Sequence, residues 1–188
     1  MIKTGKEAVG YMEELLEDLL LSTKLEFSEV RLDLESISME ELIRQSVERF
    51  IFQIEEKKIQ VQVDAPFKVR ADRKNLMKVF MNLIGNAVNY IGDGKNPQII
   101  VRCIQLENEF EFSVNDTGIG IPEKDQVQVF QKFRRGSNTG GINGTGLGLS
   151  IVRAAVEAHN GRVWVVSEQG KGTTFYFTIP VDTGAAKG

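Results

Sequence analysis

Three groups of residues have types and spacings that could do chemistry. Asn82, Asn86 and Asn89 stand at i, i+4 and i+7, so on a helix their amides share one face. Asn competes with the backbone for hydrogen bonds and is a poor residue for a helix interior. Three on one face therefore ask for a reason: oxygen ligation of Mg2+ beside phosphates is one, a polar solvent face another. Tyr90, just after them, could stack on a base or cap the core. The second group, Asp116-Thr-Gly-Ile-Gly120, follows a strand-like stretch. A carboxylate at a strand end can accept from an exocyclic amine, and Gly118 and Gly120 would let backbone close on a flat base; Asp-x-Gly turns are also common without a ligand. The third, Gly144-Thr-Gly-Leu-Gly-Leu149, opens into a helix. Glycine amides at a helix N-terminus can cradle phosphate, although the same residues also suit a mobile loop. No Gly-Lys-Ser/Thr follows, which excludes a Walker loop, and the spacing is a poor dinucleotide fingerprint.

The elements that must position these groups can be read from periodicity. Val9, Met12, Leu16, Leu19 and Thr23 mark an amphipathic helix over 6–27, whose stripe suits a coiled-coil or bundle partner or its own domain. Ser38-Met-Glu-Glu41 reads as a capping box opening a helix to about Ile54. Strand patterns follow at 59–63 and 68–71, and Asp72 caps a helix to about Tyr90. Strands are expected at 98–106, 109–115, 162–168 and 173–180, with a helix over 147–159 ending at a left-handed Asn160-Gly161. The order implies an α+β fold, helices layered on a mixed sheet.

Composition narrows the class. In 188 residues, 41% are apolar and 26% charged, with a formal charge of −3, which disfavours disorder and leaves no basic excess for nucleic acid. A single cysteine, Cys103, excludes an internal disulfide and a cysteine metal cage, and its strand setting suggests a buried free thiol. No apolar run reaches the ~20 residues of a membrane span, and the start lacks a signal-peptide core. A soluble, cytoplasmic chain is expected, from a parent that could be membrane-attached.

Taken together and in this order, the motifs resemble the ATP-binding catalytic domain of sensor histidine kinases, within the GHKL superfamily. The stretch from Asn82 to Tyr90 is similar to the N-box, Asp116 to Gly120 to the first glycine box, and Phe130-Gln-Lys-Phe-Arg-Arg135 to the F-box. Gly144 to Leu149 matches the second glycine box and Gly170-Lys-Gly-Thr173 the last glycine element. Residues 6–27 resemble the second helix of the dimerisation and phosphotransfer hairpin. The resemblance implies a two-layer α/β sandwich of the Bergerat type with an N-terminal amphipathic helix. It divides the chain into 1–33 (incomplete hairpin), 34–181 (catalytic domain) and 182–188 (tail).

The resemblance also assigns roles. Asn86 would coordinate Mg2+. Tyr90 would flank the adenine of ATP, Asp116 would accept from its amino group, and Gly118 and Gly120 would shape the base pocket. Gly144, Gly146, Leu147 and Gly148 would cradle phosphates, Thr173 would support the base side, and Arg135 would reach the γ-phosphate under a lid over 134–143. The implied partners are the acceptor-histidine helix of the same kinase, a response regulator receiver domain and a second copy in a homodimer. Asn89 stands where the family often has Lys or His, so it offers phosphate a hydrogen bond without charge. Hydrolases of the superfamily carry a Glu where this chain has Asn82, which has no useful basicity, so transfer is expected over hydrolysis. The one histidine, His159, falls at a helix C-terminus, where the dipole favours an imidazolium and a structural cap. With no acceptor histidine present, the chain is not expected to autophosphorylate alone. A non-catalytic signalling module and a serine kinase of the anti-sigma type are the alternatives.

Overall fold

The computed structural model describes residues 31–92, 94, 96–134, 136–138 and 145–181. The helix expected over 6–27 and the tail at 182–188 lie outside them, as do Arg135 and Gly144. In chain order come β1 (Leu34–Ser38), α1 (Met39–Glu48), α2 (Ile51–Glu56), β2 (Gln60–Asp64), β3 (Lys68–Asp72) and α3 (Arg73–Asn89). Then follow β4 (Gln98–Gln105), β5 (Glu109–Asp116), α4 (Glu123–Gln126), α5 (Gly148–Ala158), β6 (Val163–Glu168) and β7 (Gly172–Pro180).

Alternation builds the main sheet. Phe110, Phe112 and Val114 of β5 are buried, as are Phe175, Phe177 and Ile179 of β7, the period of two that puts one row on the core face. The five strands run β2-β4-β5-β7-β6, antiparallel except for the β2–β4 pair. α3 lies across the core face. Its Phe80 meets Phe112 and Phe177 edge-on, at ring-centroid distances of 5.8 and 5.5 Å, and those two stack at 4.6 Å. The opposite face carries Trp164 stacked on Tyr176 at 5.2 Å. This is the expected two-layer sandwich of helices on a mixed sheet. No described helix is long and apolar enough to cross a membrane.

The cap of α3 forms as expected, with Asp72 Oδ1 accepting from Asn75 N at 2.9 Å. Asn160 takes a left-handed φ of 59° after α5, also as expected. Cys103 is buried and free; burial, with Asp64 adding repulsion, pushes its thiol up to about 12, so it stays a neutral apolar side chain.

Several expectations need correction. The capping box at Ser38 does not form. Pairing of β1 with β3 sets Ser38 opposite Lys68, and Met39 N donates to Phe67 O at 3.0 Å instead. The Ser38 hydroxyl makes no cap bond, and Glu41 accepts from Gln45. The helix expected to run to Ile54 breaks at Arg49 and Phe50, where φ −112° and ψ 13° turn the Phe50 ring onto Gly85 of α3. β1 carries no period-two signal because its first three residues are exposed, and α4 is one turn long, too short to show a helical stripe.

His159 is also not an imidazolium. Its Nε2 accepts from Asp72 N at 3.0 Å and so is unprotonated, while Nδ1–H donates to Ala155 O at 2.7 Å. The ring is a neutral buried strut tying the end of α5 to the start of α3.

Candidate functional site

The core-facing row of β5 ends in a carboxylate. Asp116 is 5% exposed and sits directly across the sheet from Thr173 of β7. Burial raises its carboxyl to about 6, against the opposing pull of backbone hydrogen bonds from Gly118 and Thr173. Gly118 N donates to Asp116 Oδ1 at 2.8 Å. A side chain at Gly118 is excluded, since a Cβ there would lie 2.2 Å from Tyr90 O and 2.7 Å from Asp116 Oδ1. Ile119 N donates to the same Tyr90 O at 3.0 Å. Backbone contact thus stitches the end of β5 to the end of α3.

Next to the carboxylate across the sheet lies a hydroxyl pair, Thr173 opposite Asp116 and Ser167 opposite Thr173. Ser167 Oγ accepts from Ile121 N and donates to Gly172 O, both at 2.8 Å, and lies 2.9 Å from Thr173 Oγ1. Ser167 has one proton and spends it on Gly172, so Thr173 donates to Ser167 and keeps its lone pairs for other partners. Gly120, with φ +66°, packs against the backbone of Glu168.

The amide face of α3 meets the N-terminus of α5. Asn82 Nδ2 donates to Lys78 O at 2.9 Å, and its Oδ1 lies where a Cβ on Gly148 would come within 2.3 Å. Glycine at 148 lets the two helices approach this closely. Asn86 is half-buried and Asn89 exposed, and neither side chain hydrogen-bonds a described residue. Leu147 is buried and precedes α5 without a side-chain cap, which leaves the first-turn amides and the positive dipole end for an anion. Gly146, with φ +72°, packs on Phe133, whose N donates to Gly146 O at 2.9 Å. That bond staples together the two ends of the segment between them.

A cavity of about 560 Å3 opens beside the end of α3, walled by Lys57, Asn89, Tyr90, Gly92, Pro97 and Ile119. It does not reach Asn86 or Asp116, but it shares Tyr90 and Ile119 with the Asp116 turn. Among the described residues no three His, Cys, Asp or Glu side chains cluster to hold a metal alone. A divalent ion would have to take most of its oxygens from a bound anion, which suits an amide such as Asn86 as sole protein ligand.

The structure therefore brings Tyr90, Asp116, Gly118, Gly120 and Thr173 to one end of the sheet, and Asn82, Gly146, Leu147 and Gly148 to the α3–α5 contact. Asn86 and Asn89 continue the Asn82 face along α3. Arg135 and Gly144 lie outside the described residues. Sequence reasoning missed Ser167 and Lys57. A lone serine in a strand and a lysine in a charged run carry no signal until pairing and packing place them.

The family described as histidine kinase-, DNA gyrase B- and HSP90-like ATPase matches residues 71–183. The phytochrome-like protein Cph1 of Synechocystis sp. is 34% identical over 92% of this chain and 23% of its own length. The adaptive-response sensory kinase SasA of Prochlorococcus marinus is 36% identical over 97% of this chain and 50% of its own. The chain spans about a quarter to half the length of these relatives. Among solved structures, full-length ShkA in complex with AMPPNP superposes with a TM-score of 0.79 at 28% identity, covering 93% of this chain and 36% of that one. Histidine kinase ThkA in complex with response regulator protein TrrA gives 0.71 at 26% identity, covering 93% and 48%.

Proposed function

Because the chain belongs to the histidine kinase-, DNA gyrase B- and HSP90-like ATPase family, we propose that it is the ATP-binding catalytic part of a sensor histidine kinase. It holds ATP and passes the γ-phosphate to a histidine on an acceptor helix, for relay to a response regulator aspartate. The likeness to AMPPNP-bound ShkA and to regulator-bound ThkA supports this reading. The observation that carries it is the buried Asp116, a carboxylate at the end of an otherwise apolar row and paired with Thr173.

The chemistry follows from these residues. Asp116 accepts from the exocyclic amine of adenine, and Thr173 adds an acceptor beside it. Tyr90 flanks the base, while Gly118 and Gly120 let backbone close on it. The turn of Gly144, Gly146, Leu147 and Gly148 takes the phosphates at the positive end of α5, through amides other than that of Leu147, which donates to Thr145 Oγ1. Mg2+, held by Asn86 with phosphate oxygens, would offset charge on the phosphate chain. Asn89 donates to the same chain, and Arg135 offsets charge that builds as the P–O bond to ADP breaks and the imidazole nitrogen bonds to phosphorus. Asn82 cannot take a proton from water, so hydrolysis is slow. In the intact kinase the acceptor helix belongs to a homodimer.

The test mixes this chain with a separately supplied acceptor hairpin and γ-labelled ATP. Acid-labile label on the hairpin is expected, lost in Asn86→Ala or Arg135→Ala. Acid-stable label would indicate a serine kinase. Fast ATP hydrolysis abolished by Asn82→Ala would indicate a hydrolase. The neutral Asn89 favours one other reading, a signalling module that keeps the fold without the chemistry; a folded chain that binds no nucleotide at millimolar concentration would support it.

A further inference from the structure

A phosphate chain held by Asn86 and Asn89 lies at the C-terminal turn of α3, the wrong end of that helix for an anion. The last carbonyls of a helix and its negative dipole end repel phosphate. Asn89 supplies no charge against this. Lys57, just past α2, comes to the same place: its Nζ donates to Val88 O at 2.8 Å. Lys57 also walls the cavity that Asn89 and Tyr90 line, and it is the one cation among the described residues that do so. Glu56 lines the cavity too, and its carboxylate makes a neutral amide there a still poorer host for phosphate. An ammonium has three protons, and the Val88 bond takes one, leaving two for a ligand.

We propose that Lys57 is a phosphate-binding residue of the nucleotide site, capping the negative end of α3 and supplying from a neighbouring helix the charge that Asn89 lacks. This deepens the nucleotide reading above and rests on it. The walls fit such a ligand. Lys57 and Asn89 share the cavity with Tyr90 and Ile119, so a phosphate at its cationic wall would leave the rest of the nucleotide to extend past Tyr90 toward the Asp116 turn.

The test is calorimetry on the full chain with adenosine, ADP and ATP, each with Mg2+. Lys57→Gln keeps a donor for Val88 O but removes the charge; Lys57→Arg keeps both. Lys57→Gln is expected to weaken ADP and ATP about tenfold and leave adenosine unchanged, with Lys57→Arg close to wild type. Adding Asn89→Lys to Lys57→Gln should restore most of the loss, since it returns a cation to the same cavity. ADP affinity in Lys57→Gln within twofold of wild type would overturn the proposal. So would an equal loss for adenosine and ADP, which would make Lys57 a structural cap only. A folded wild type that bound no nucleotide would remove the nucleotide reading itself, a result distinct from both.

Discussion

Asp116 occupies a position where β5 otherwise places Phe110, Phe112 and Val114 toward the core, so its environment works against its charge. With its carboxyl raised to about 6, above the ~3.9 of an unfolded chain, the folded state holds the extra proton between those values. Asp116 therefore opposes folding above pH 6, and that penalty is relieved as pH falls through 6 toward 4. A base amine donating to the carboxylate favours the charged form, so nucleotide binding should release protons near pH 6 and weaken below it. Calorimetry in buffers of different ionisation enthalpy will read the proton count. Asp116→Asn should leave stability at pH 7 unchanged or higher while lowering ATP affinity about 10–100-fold, the worth of a charged hydrogen bond. The carboxylate itself was legible from the strand-then-glycine order of residues 110–120. The Thr173–Ser167 hydroxyl pair next to it across the sheet was not, because Ser167 comes beside Thr173 only through the pairing of β6 with β7.

At the scale of elements, the contact of α3 with α5 decides whether the amides and the glycine turn share one site. Gly148 is the hinge of that contact, since any Cβ would strike Asn82 Oδ1. That atom ends a flexible side chain, so Gly148→Ala should fold with a melting temperature within a few degrees of wild type, by displacing Asn82. Its affinity for Mg-ATP should fall at least tenfold, measured by calorimetry; retained affinity would mean the close approach serves packing alone. α3 was readable because an Asp72 cap and a long apolar stripe agree. The helix ahead of it was misread at both ends for tertiary reasons. β1–β3 pairing supplies Met39 with a carbonyl in place of Ser38, and Phe50 turns out of the helix to pack on Gly85.

For the whole molecule, the two-layer fold sets one end of the sheet against one end of a helix pair, and chain segments distant in sequence meet there. The sandwich was legible because strand alternation in β5 and β7 and the stripe of α3 are both strong. The cavity and Lys57 were not, since they arise where α2 and the end of α3 come together. The central claim is that Asn86, Asp116 and the Gly146–Gly148 turn belong to a single nucleotide site. Titrating the isotope-labelled chain with Mg-AMPPNP and following its amide resonances tests this most directly. The account predicts one saturable set of shifts at Gly118, Gly120, Gly146 and Gly148 and at the side-chain amides of Asn86 and Asn89. Shifts confined to the Trp164–Tyr176 face, or none in a folded sample, would contradict it.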